Sequence, residues 1–430
     1  MSVGARVRDE VDVRPPTHPR RRITPLRALR RAWSELRKMR TAIILLVILA
    51  ALATIGTLLP QIPQNPQGVM GYVLRHPFTA PWFARLGLFD VFSSWPFIIT
   101  ATLMYVSIGA SMFIRVPAAW RRGRVRVQRT RAFWAEVASI VFHASFFILL
   151  VGVVYGKGAG FVGNAAVVEG DTFTEARANY DNLTEGRFTG PHAGFQVKVD
   201  RFQVSYWPNT QPRDFVSRVQ IYDGGRLVES RDIRVNHYLD YGGVKIYQAG
   251  YGWAPVLRIQ TPDGRTVADG ATIFTGDPTL ANGVIKAPSA GPGNQQLAVS
   301  AIFMPDPVLR GDAIAPGGPA PTLPLLLVRL YRGNLHLDAA QNVFSLDTTG
   351  LDLRWRGALR IGDSVVTPDG DRLTFTALRQ YTDLTVNKDP GVPIVLAAFA
   401  IGLSALLLSL YLPLMGKEDR LAPSRQLTGD

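Results

Sequence analysis

Histidine is the residue type through which this sequence could do chemistry, because the chain contains six histidines and no cysteine. The absence of cysteine excludes disulfide bonds, thiol redox chemistry and cysteine-ligated zinc or iron–sulfur centres from this chain. A neutral imidazole can ligate iron and can also carry a proton near neutral pH. The positions of the histidines therefore decide which chemistry the sequence allows.

His143 stands near the middle of an apolar stretch, EVASIVFHASFFILLVGVVYG, that is long enough to cross a bilayer as a helix. A polar ring at that depth needs a hydrogen-bond partner or must line a cavity. The residues alone leave two interpretations open. His143 either ligates haem iron or relays protons, or it makes an interhelical hydrogen bond worth about 1 kcal/mol.

His237 lies in the segment DIRVNHYLDYGGVKIYQAGYGW, after a predicted strand and before a Gly-Gly turn. The same segment is rich in large rings: Tyr238, Tyr241, Tyr247, Tyr251 and Trp253. Such rings could form an apolar shelf for a planar ligand, with the imidazole at its edge. The alternative is a hairpin whose aromatic side chains pack the β core and whose histidine caps a turn.

Four histidines remain: His18, His76, His192 and His336. The first lies in an Arg- and Pro-rich leader, the next two lie in loops, and the last follows a turn, so we predict solvated or turn-forming roles for them. Glu136 is predicted to lie at the inner membrane interface beside Arg131, without a chemical role. A membrane enzyme acting on envelope polymers has no support, since no nucleophile–base, phosphate-loop, zinc-protease or paired-carboxylate pattern is present.

Four apolar stretches of about 20 residues must position these side chains, and that is the length a helix needs to cross a bilayer. The sequence predicts membrane spans at residues 41–59, 95–114, 133–155 and 392–413. We interpret the first as a permanent anchor, because its apolar core is longer than that of a signal peptide and further spans follow it. Residues 60–94 mix prolines with aromatic residues, which predicts a loop lying along the outer leaflet.

The net charge of +14 is unevenly distributed. Residues 1–40 carry twelve Lys or Arg and four acidic residues, residues 115–131 carry seven and none, and residues 157–389 carry 23 and 24. Lys and Arg accumulate in the cytoplasmic segments of membrane proteins. The charge therefore predicts a topology, with attraction to anionic membrane lipid as a second effect, and not a nucleic-acid partner.

This topology places both termini in the cytoplasm of a multi-pass protein of the plasma membrane. The cytoplasmic segments are a leader (1–40), which includes a disordered part and an interfacial helix, a basic loop (115–132) and a tail (414–430). The extracytoplasmic segments are the loop 60–94 and a large domain at residues 158–390.

Residues 158–390 show period-two apolar patterns, which are typical of strands, between turns rich in Gly and Asp. FQVKVDRFQVSYW alternates in two sets, Phe195, Val197, Val199 and then Phe202, Val204, Tyr206. DGG and PDG turns join further strand pairs, and no long amphipathic helix is predicted. The fold class is therefore mixed, with four transmembrane helices and a large antiparallel β sandwich or barrel between the third and the fourth. SAGPGNQQ and APGGPAPTLP are predicted loops, and they leave open whether they separate two β lobes.

Several segments together resemble the ResB (Ccs-type) family of system II cytochrome c biogenesis proteins, in an actinobacterial-like form. They are WSELRKMRTAIILLVILAALATIGTLLPQ, RLGLFDVFSSWPF, FHASFFILLVGVVYG, VVEGDTF, QPRDF, IRVNHYLDYGGVKIYQAGYGWAP and NKDPGVPIVLAAFAIGLSALLLSLYLP. Their order and the four-span topology match the family over nearly the whole chain. The sequence departs from the family at NHYL, where NHPL is usual, and at SSWPF, where SPWF is common.

The resemblance implies a cytochrome c assembly factor that handles haem b and is not an enzyme on its own. The implied partners are a polytopic ResC (CcsA-type) protein with a tryptophan-rich haem-binding segment, an exported apocytochrome c, and a thiol-reducing protein of the same pathway. The family's transmembrane and exterior functional histidines correspond to His143, as a ligand of haem iron, and to His237. The alternative is a membrane-anchored scaffold whose β domain binds a protein partner without touching haem.

Overall fold

The computed structural model describes residues 33–62, 66–124, 130–208, 211–291, 295–338, 341–342 and 344–418. Most of the predicted leader, including His18, and most of the predicted tail lie outside the described residues. The chain divides into two compact units, a helical unit (Met1–Leu149 with Leu396–Asp430) and a β unit (Leu150–Val395). Each unit is described by itself below.

Among the residues that the structure describes, four long helices are apolar enough to cross a membrane, as the sequence predicts. They are α1 (Met39–Leu58), α4 (Trp95–Gly123), α5 (Arg131–Ala159) and α6 (Val392–Glu418). Helices α4 and α5 each contain 29 residues and so extend beyond their apolar stretches. They do so because the flanking sequences, rich in Arg and Ala, also favour helix.

Within the predicted loop at residues 60–94, the structure has two short helices, α2 (Pro66–Arg75) and α3 (Ala80–Arg85). Two of the prolines that argued against a long helix, Pro66 and Pro81, lie in the first turns of these helices, where a missing N–H costs nothing. A small apolar cluster of Val69, Ala80 and Phe89 holds the segment together.

Polar contacts within the helical unit join neighbouring helices. Glu136 of α5 accepts a hydrogen bond of 2.6 Å from the Arg122 guanidinium of α4. Ser107 of α4 donates to the carbonyl oxygen of Leu36 at 2.5 Å. Such contacts satisfy polar groups that would otherwise face lipid.

The described residues of the β unit form eighteen strands. They are β1 (Phe161–Val168), β2 (Thr172–Thr174), β3 (Asn182–Glu185), β4 (Gln196–Tyr206), β5 (Pro212–Asp223), β6 (Arg226–Arg234), β7 (Leu239–Tyr241), β8 (Val244–Gln260), β9 (Thr266–Ala271), β10 (Thr275–Asp277), β11 (Leu280–Ala287), β12 (Leu297–Met304), β13 (Pro307–Arg310), β14 (Ala313–Pro316), β15 (Leu325–Arg332), β16 (Asp352–Arg360), β17 (Ser364–Val366) and β18 (Arg372–Lys388). The described part of this unit has no helix longer than a three-residue 3-10 turn between β1 and β18.

The strands form three main antiparallel sheets. Sheet A has the order β3-β1-β18-β8-β7, with β17 and β9 at its margins, sheet B has the order β2-β4-β5-β6, and sheet C has the order β10-β11-β12-β15-β16. Sheet B and one end of sheet A enclose a first apolar core around Phe195, Val197 and Ile246. Sheet C and the other end of sheet A enclose a second core around Trp253, Phe303 and Phe375.

The two cores are joined by the 17-residue strands β8 and β18, which run through both. SAGPGNQQ lies between β11 and β12, and APGGPAPTLP runs from the end of β14 to β15, so both segments belong to the region of sheet C. They are therefore not the division between lobes. Gly and Pro indicate turns, whereas the first core gives way to the second within the continuous strands β8 and β18.

Local sequence patterns account for the strand ends and for one irregularity. The DGG turn between β5 and β6 has both glycines in the left-handed region, Gly224 at φ 56° and Gly225 at φ 78°, as a tight hairpin requires. In β4 the two apolar sets are out of phase, and the pairing register with β5 shifts between Val199 and Arg201. A β-bulge at this point keeps both sets facing the core.

Candidate functional site

His143 presents one free ring nitrogen from the third span. It is residue 13 of the 29 in α5 and is half-buried. Its Nδ1 lies 2.6 Å from the carbonyl oxygen of Ser139, one turn earlier in the same helix. Because a carbonyl oxygen only accepts, Nδ1 carries the proton, and the lone pair of a neutral ring lies on Nε2.

This geometry fits an iron ligand. Ligating histidines commonly donate their other ring N–H to a backbone carbonyl, which fixes the tautomer and the ring orientation. Among the described residues, the hydrogen bond of His143 stays within its own helix, and Nε2 has no protein partner. The arrangement therefore lacks the interhelical hydrogen bond that the alternative interpretation requires.

His237 follows a tight turn at the end of β6. Its backbone N–H donates to the carbonyl oxygen of Arg234 at 2.9 Å, and its own carbonyl accepts from the Arg234 N–H at 3.2 Å. Between them, Asn236 adopts φ 64°, a left-handed conformation that Asn tolerates better than most residues. The turn leaves the imidazole exposed and without a hydrogen-bond partner among the described side chains.

A surface groove of about 500 Å³ adjoins this imidazole. Its lining residues are Arg231, Asp232, Arg234, Asn236, His237 and Tyr238. The Arg231 guanidinium lies 3.1 Å from the Glu229 carboxylate, and the Arg234 guanidinium lies 3.7 Å from the Asp214 carboxylate. Both arginine side chains are about half exposed. The groove therefore combines one imidazole with two cations that can contact carboxylates of a ligand.

The predicted aromatic shelf is smaller than the sequence suggests. Tyr238 packs on Tyr247 with ring centroids 5.0 Å apart, and the Lys245 ammonium lies 5.0 Å from the Tyr238 ring. The other rings face elsewhere: Tyr241 contacts Phe195, Tyr251 contacts Phe202 and Phe215, and Trp253 is buried in the second core. Only two of the five rings are thus available near His237.

His192 is held in a cluster of charged groups, so the prediction of a solvated loop or turn role is wrong. Its Nδ1 contacts the carboxylate of Glu175, and its Nε2 lies 2.9 Å from Glu185. Glu175 is fully buried and also accepts hydrogen bonds from the Ala193 N–H at 2.5 Å and from the Tyr180 hydroxyl at 3.0 Å. We refer to His192, Glu175, Glu185 and Tyr180 as the His192 cluster.

The protonation of the His192 cluster follows from burial and charge. Burial alone would lower the pKa of His192, but the hydrogen bonds and negative charges of Glu175 and Glu185 outweigh it and raise the pKa. The hydrogen bond from His192, together with Arg177, lowers the pKa of Glu185. Burial and the neighbouring Glu175 raise the pKa of Tyr180. His192 is therefore an imidazolium. Both of its ring nitrogens are bonded to carboxylates, so neither is free for a ligand.

His76 and His336 show no ligand geometry. His76 packs its ring 4.4 Å from that of Tyr72, and His336 lies in a turn at φ 49°, in agreement with the prediction of a turn role. Among the described residues, no three His, Asp or Glu side chains converge as metal ligands.

Comparison with known proteins identifies relatives of one kind. The ResB-like family matches residues 39–134 and 127–414. The protein named "Cytochrome c biogenesis protein CcsB" of Synechococcus sp. (strain JA-3-3Ab) is 25% identical over 308 residues, covering 66% of this chain and 52% of that protein. The protein of the same name from Thermosynechococcus vestitus is 26% identical over 280 residues, covering 64% of this chain and 52% of that protein.

The chain spans about half the length of the curated relatives it matches, since the aligned part is 52% of each of those two proteins. The family match nevertheless includes all four apolar helices and the β unit between the third and the fourth. With this helix and strand order, the chain is a multi-pass membrane protein that belongs to the ResB-like family.

Proposed function

We propose that this protein is a cytochrome c assembly factor that handles haem b through His143 and His237. The relatives carry the name cytochrome c biogenesis protein, which supports the class of function. The observation that carries the haem assignment is the free Nε2 of His143 in an apolar helix, with Nδ1 fixed by the Ser139 carbonyl. A neutral imidazole so oriented is a preferred ligand of haem iron.

The residues of this chain would bind and orient haem and would not form covalent bonds to it. His143 would hold the haem iron through Nε2, and a second ligand would come from a polytopic ResC-type partner. When bound, haem supplies the iron and the vinyl groups to which the thiols of an exported apocytochrome c become attached. Because this chain has no cysteine, the reduction of those thiols falls to a separate thiol-reducing protein.

The His237 groove supports a second contact with haem outside the membrane. Arg231 and Arg234 can each donate paired hydrogen bonds to a propionate carboxylate, while the His237 imidazole faces the same groove. In this arrangement the protein lies in the plasma membrane with both termini in the cytoplasm. Residues 158–390 then meet the apocytochrome on the outer side.

Absorption spectra of the full chain, purified in detergent alone and with its ResC-type partner, test the proposal. We expect a Soret band that is shifted or lost in His143→Gly and restored by added imidazole, because the free base can enter the vacated ligand position. His336→Ala serves as the matched control, since His336 is exposed and lies in a turn. A band unchanged in His143→Gly would remove the ligand role.

The scaffold alternative makes a different prediction in the same preparation. It expects no haem in the chain or in the complex, with His143 variants that still support cytochrome c formation. Complete absence of haem together with normal cytochrome c in cells lacking the protein would overturn the assembly role as well.

The His237 contact has its own test. In a titration with hemin, the purified wild-type chain should bind more tightly than the His237→Ala variant or the Arg231→Gln, Arg234→Gln double variant. Arg226→Gln, on the same strand β6 but outside the groove lining, should bind as wild type does. Equal affinity in all four proteins would exclude the groove as a haem site.

A further inference from the structure

Two arginines face each other on the outer surface of sheet C. Arg329 of β15 and Arg356 of β16 are direct partners in the antiparallel register, and both are exposed. Directly opposed residues have Cβ atoms about 5 Å apart, and like charges at that separation destabilise a sheet. The pair therefore costs stability where it stands.

No acidic group offsets this cost in the described part of the chain. Neither guanidinium has a carboxylate within ion-pair distance among the described residues. The same row of the sheet continues to Ser300 and Val284, neither of which is charged. By contrast, the nearby Arg332 and Arg354 are both paired, with Asp371 at 2.6 Å and Asp369 at 2.6 Å. The opposed pair thus differs from these two arginines, which are neutralised by carboxylates.

A groove of about 380 Å³ lies over the two arginines. It is lined by Ser300, Ile302, Leu327, Val328, Arg329, Arg356, Gly357 and Ala358. Ile302, Leu327 and Ala358 form the next outward row, two residues along the strands from the charged row. The surface therefore offers two cations and, about 7 Å further along, an apolar floor.

We propose that this groove docks an extended acidic segment of a protein partner. Two guanidinium forks side by side bind carboxylates in a bidentate manner, and such charge-assisted bonds would relieve the repulsion between the arginines. The apolar row two residues away matches the period of an extended peptide, whose alternate side chains face the same surface. The segment has an acidic residue followed two positions later by an aliphatic residue. No histidine lines the groove, so this site is independent of haem.

Because the chain contains no cysteine, a single introduced cysteine can carry one fluorescent label at this site. Asn282 is exposed and pairs in register with Ile302, at the edge of the groove. Asn282→Cys, labelled with an environment-sensitive dye in the full-length protein in detergent, can be titrated with synthetic decapeptides. One decapeptide carries Glu-Ser-Leu at its centre, and the comparison peptide carries Gln-Ser-Leu.

We expect a saturable change with the Glu peptide, and binding at least about tenfold weaker for the Gln peptide and for the Arg329→Gln, Arg356→Gln protein. Arg360→Gln, on the same strand but outside the groove lining, should leave the dissociation constant unchanged. The double variant should also melt no lower than wild type, because it loses a repulsion and no ion pair.

Three results would overturn the proposal. They are no spectral change with the Glu peptide, equal binding of the Glu peptide to the double variant, and succinate binding as tightly as the peptide. The last would indicate a small-anion site in place of a peptide site. A melting temperature well below that of wild type in the double variant would indicate a structural role for the arginines.

Discussion

The third span and the β unit each hold a histidine, and the two differ in their hydrogen bonding. In the span, His143 makes one hydrogen bond, to its own helix, and leaves Nε2 free. In the β unit, His192 has both nitrogens bonded to carboxylates, one of them on the fully buried Glu175. His192 therefore has no free ring nitrogen for a ligand, whereas His143 has one.

The difference separates a stabilising histidine from a ligand candidate. A buried carboxylate without its counter-charge costs several kcal/mol, so His192 and Glu175 depend on each other for the stability of the fold. Loss of the single hydrogen bond of His143 costs little, since such bonds in membrane helices average about 0.6 kcal/mol. Mutations should therefore affect stability in the β unit and haem binding in the span.

Removal of the Glu175 charge should have the largest effect on stability. Glu175→Gln keeps the side-chain shape but weakens contacts with His192, Tyr180 and the Ala193 N–H. We expect a loss of about 3–5 kcal/mol, because a buried pair then lacks one partner. For a domain of this size the loss corresponds to a fall in melting temperature on the order of 10 °C, measurable by circular dichroism in detergent.

Glu169→Gln provides the matched control, since among the described residues the Glu169 side chain has no hydrogen bond or ion pair. Its melting temperature should stay within about 2 °C of wild type, as for most substitutions away from a network. If Glu175→Gln lowered the melting temperature no more than Glu169→Gln, the His192 cluster would not be a stabilising element.

The pH dependence of stability should show the charge of His192 directly. Its pKa is raised above the ordinary value of 6.5, so its contribution is fully present below about pH 6.5 and is lost as the pH rises through the raised pKa. The difference in melting temperature between wild type and His192→Asn should therefore shrink as the pH rises above about 6.5. The pKa of Glu185 is lowered, so this carboxylate stays ionised throughout that window.

A second titrating group has to be separated from this effect. Burial and the neighbouring Asp181 raise the pKa of Asp383 to about 6, which also decreases stability as the pH rises toward that value. Because Asp383 is present in both proteins, its contribution cancels in the difference. A difference that is constant or that grows with pH would contradict a charged His192.

The sequence predicts the features of this fold that depend on neighbouring residues. Apolar stretches locate the four helices, and the DGG turn locates a hairpin whose Gly224 and Gly225 adopt positive φ. His143 could be singled out because a polar ring in an apolar stretch is visible in one dimension. Even the bulge in β4 is visible, as a change of phase between Val199 and Phe202.

Features that depend on strand pairing were not predictable in the same way. His192 meets Glu175, 17 residues earlier, and Glu185, 7 residues earlier, through the folding of short strands and loops. Arg329 and Arg356 become neighbours only through the register of β15 and β16. No local pattern encodes such contacts, so the default prediction of a solvated loop histidine was wrong for His192.

The smallest predicted effect concerns the turn that carries His237. Asn236 holds φ 64° there, a conformation that costs most non-glycine residues about 1–2 kcal/mol. Asn236→Gly should retain both stability and hemin binding at the groove, whereas Asn236→Val should lose about 1–2 kcal/mol and bind hemin more weakly. The Soret band assigned to His143 should be the same in both variants. Weaker hemin binding by Asn236→Gly as well would show that the Asn side chain, and not the turn conformation, is what the groove requires.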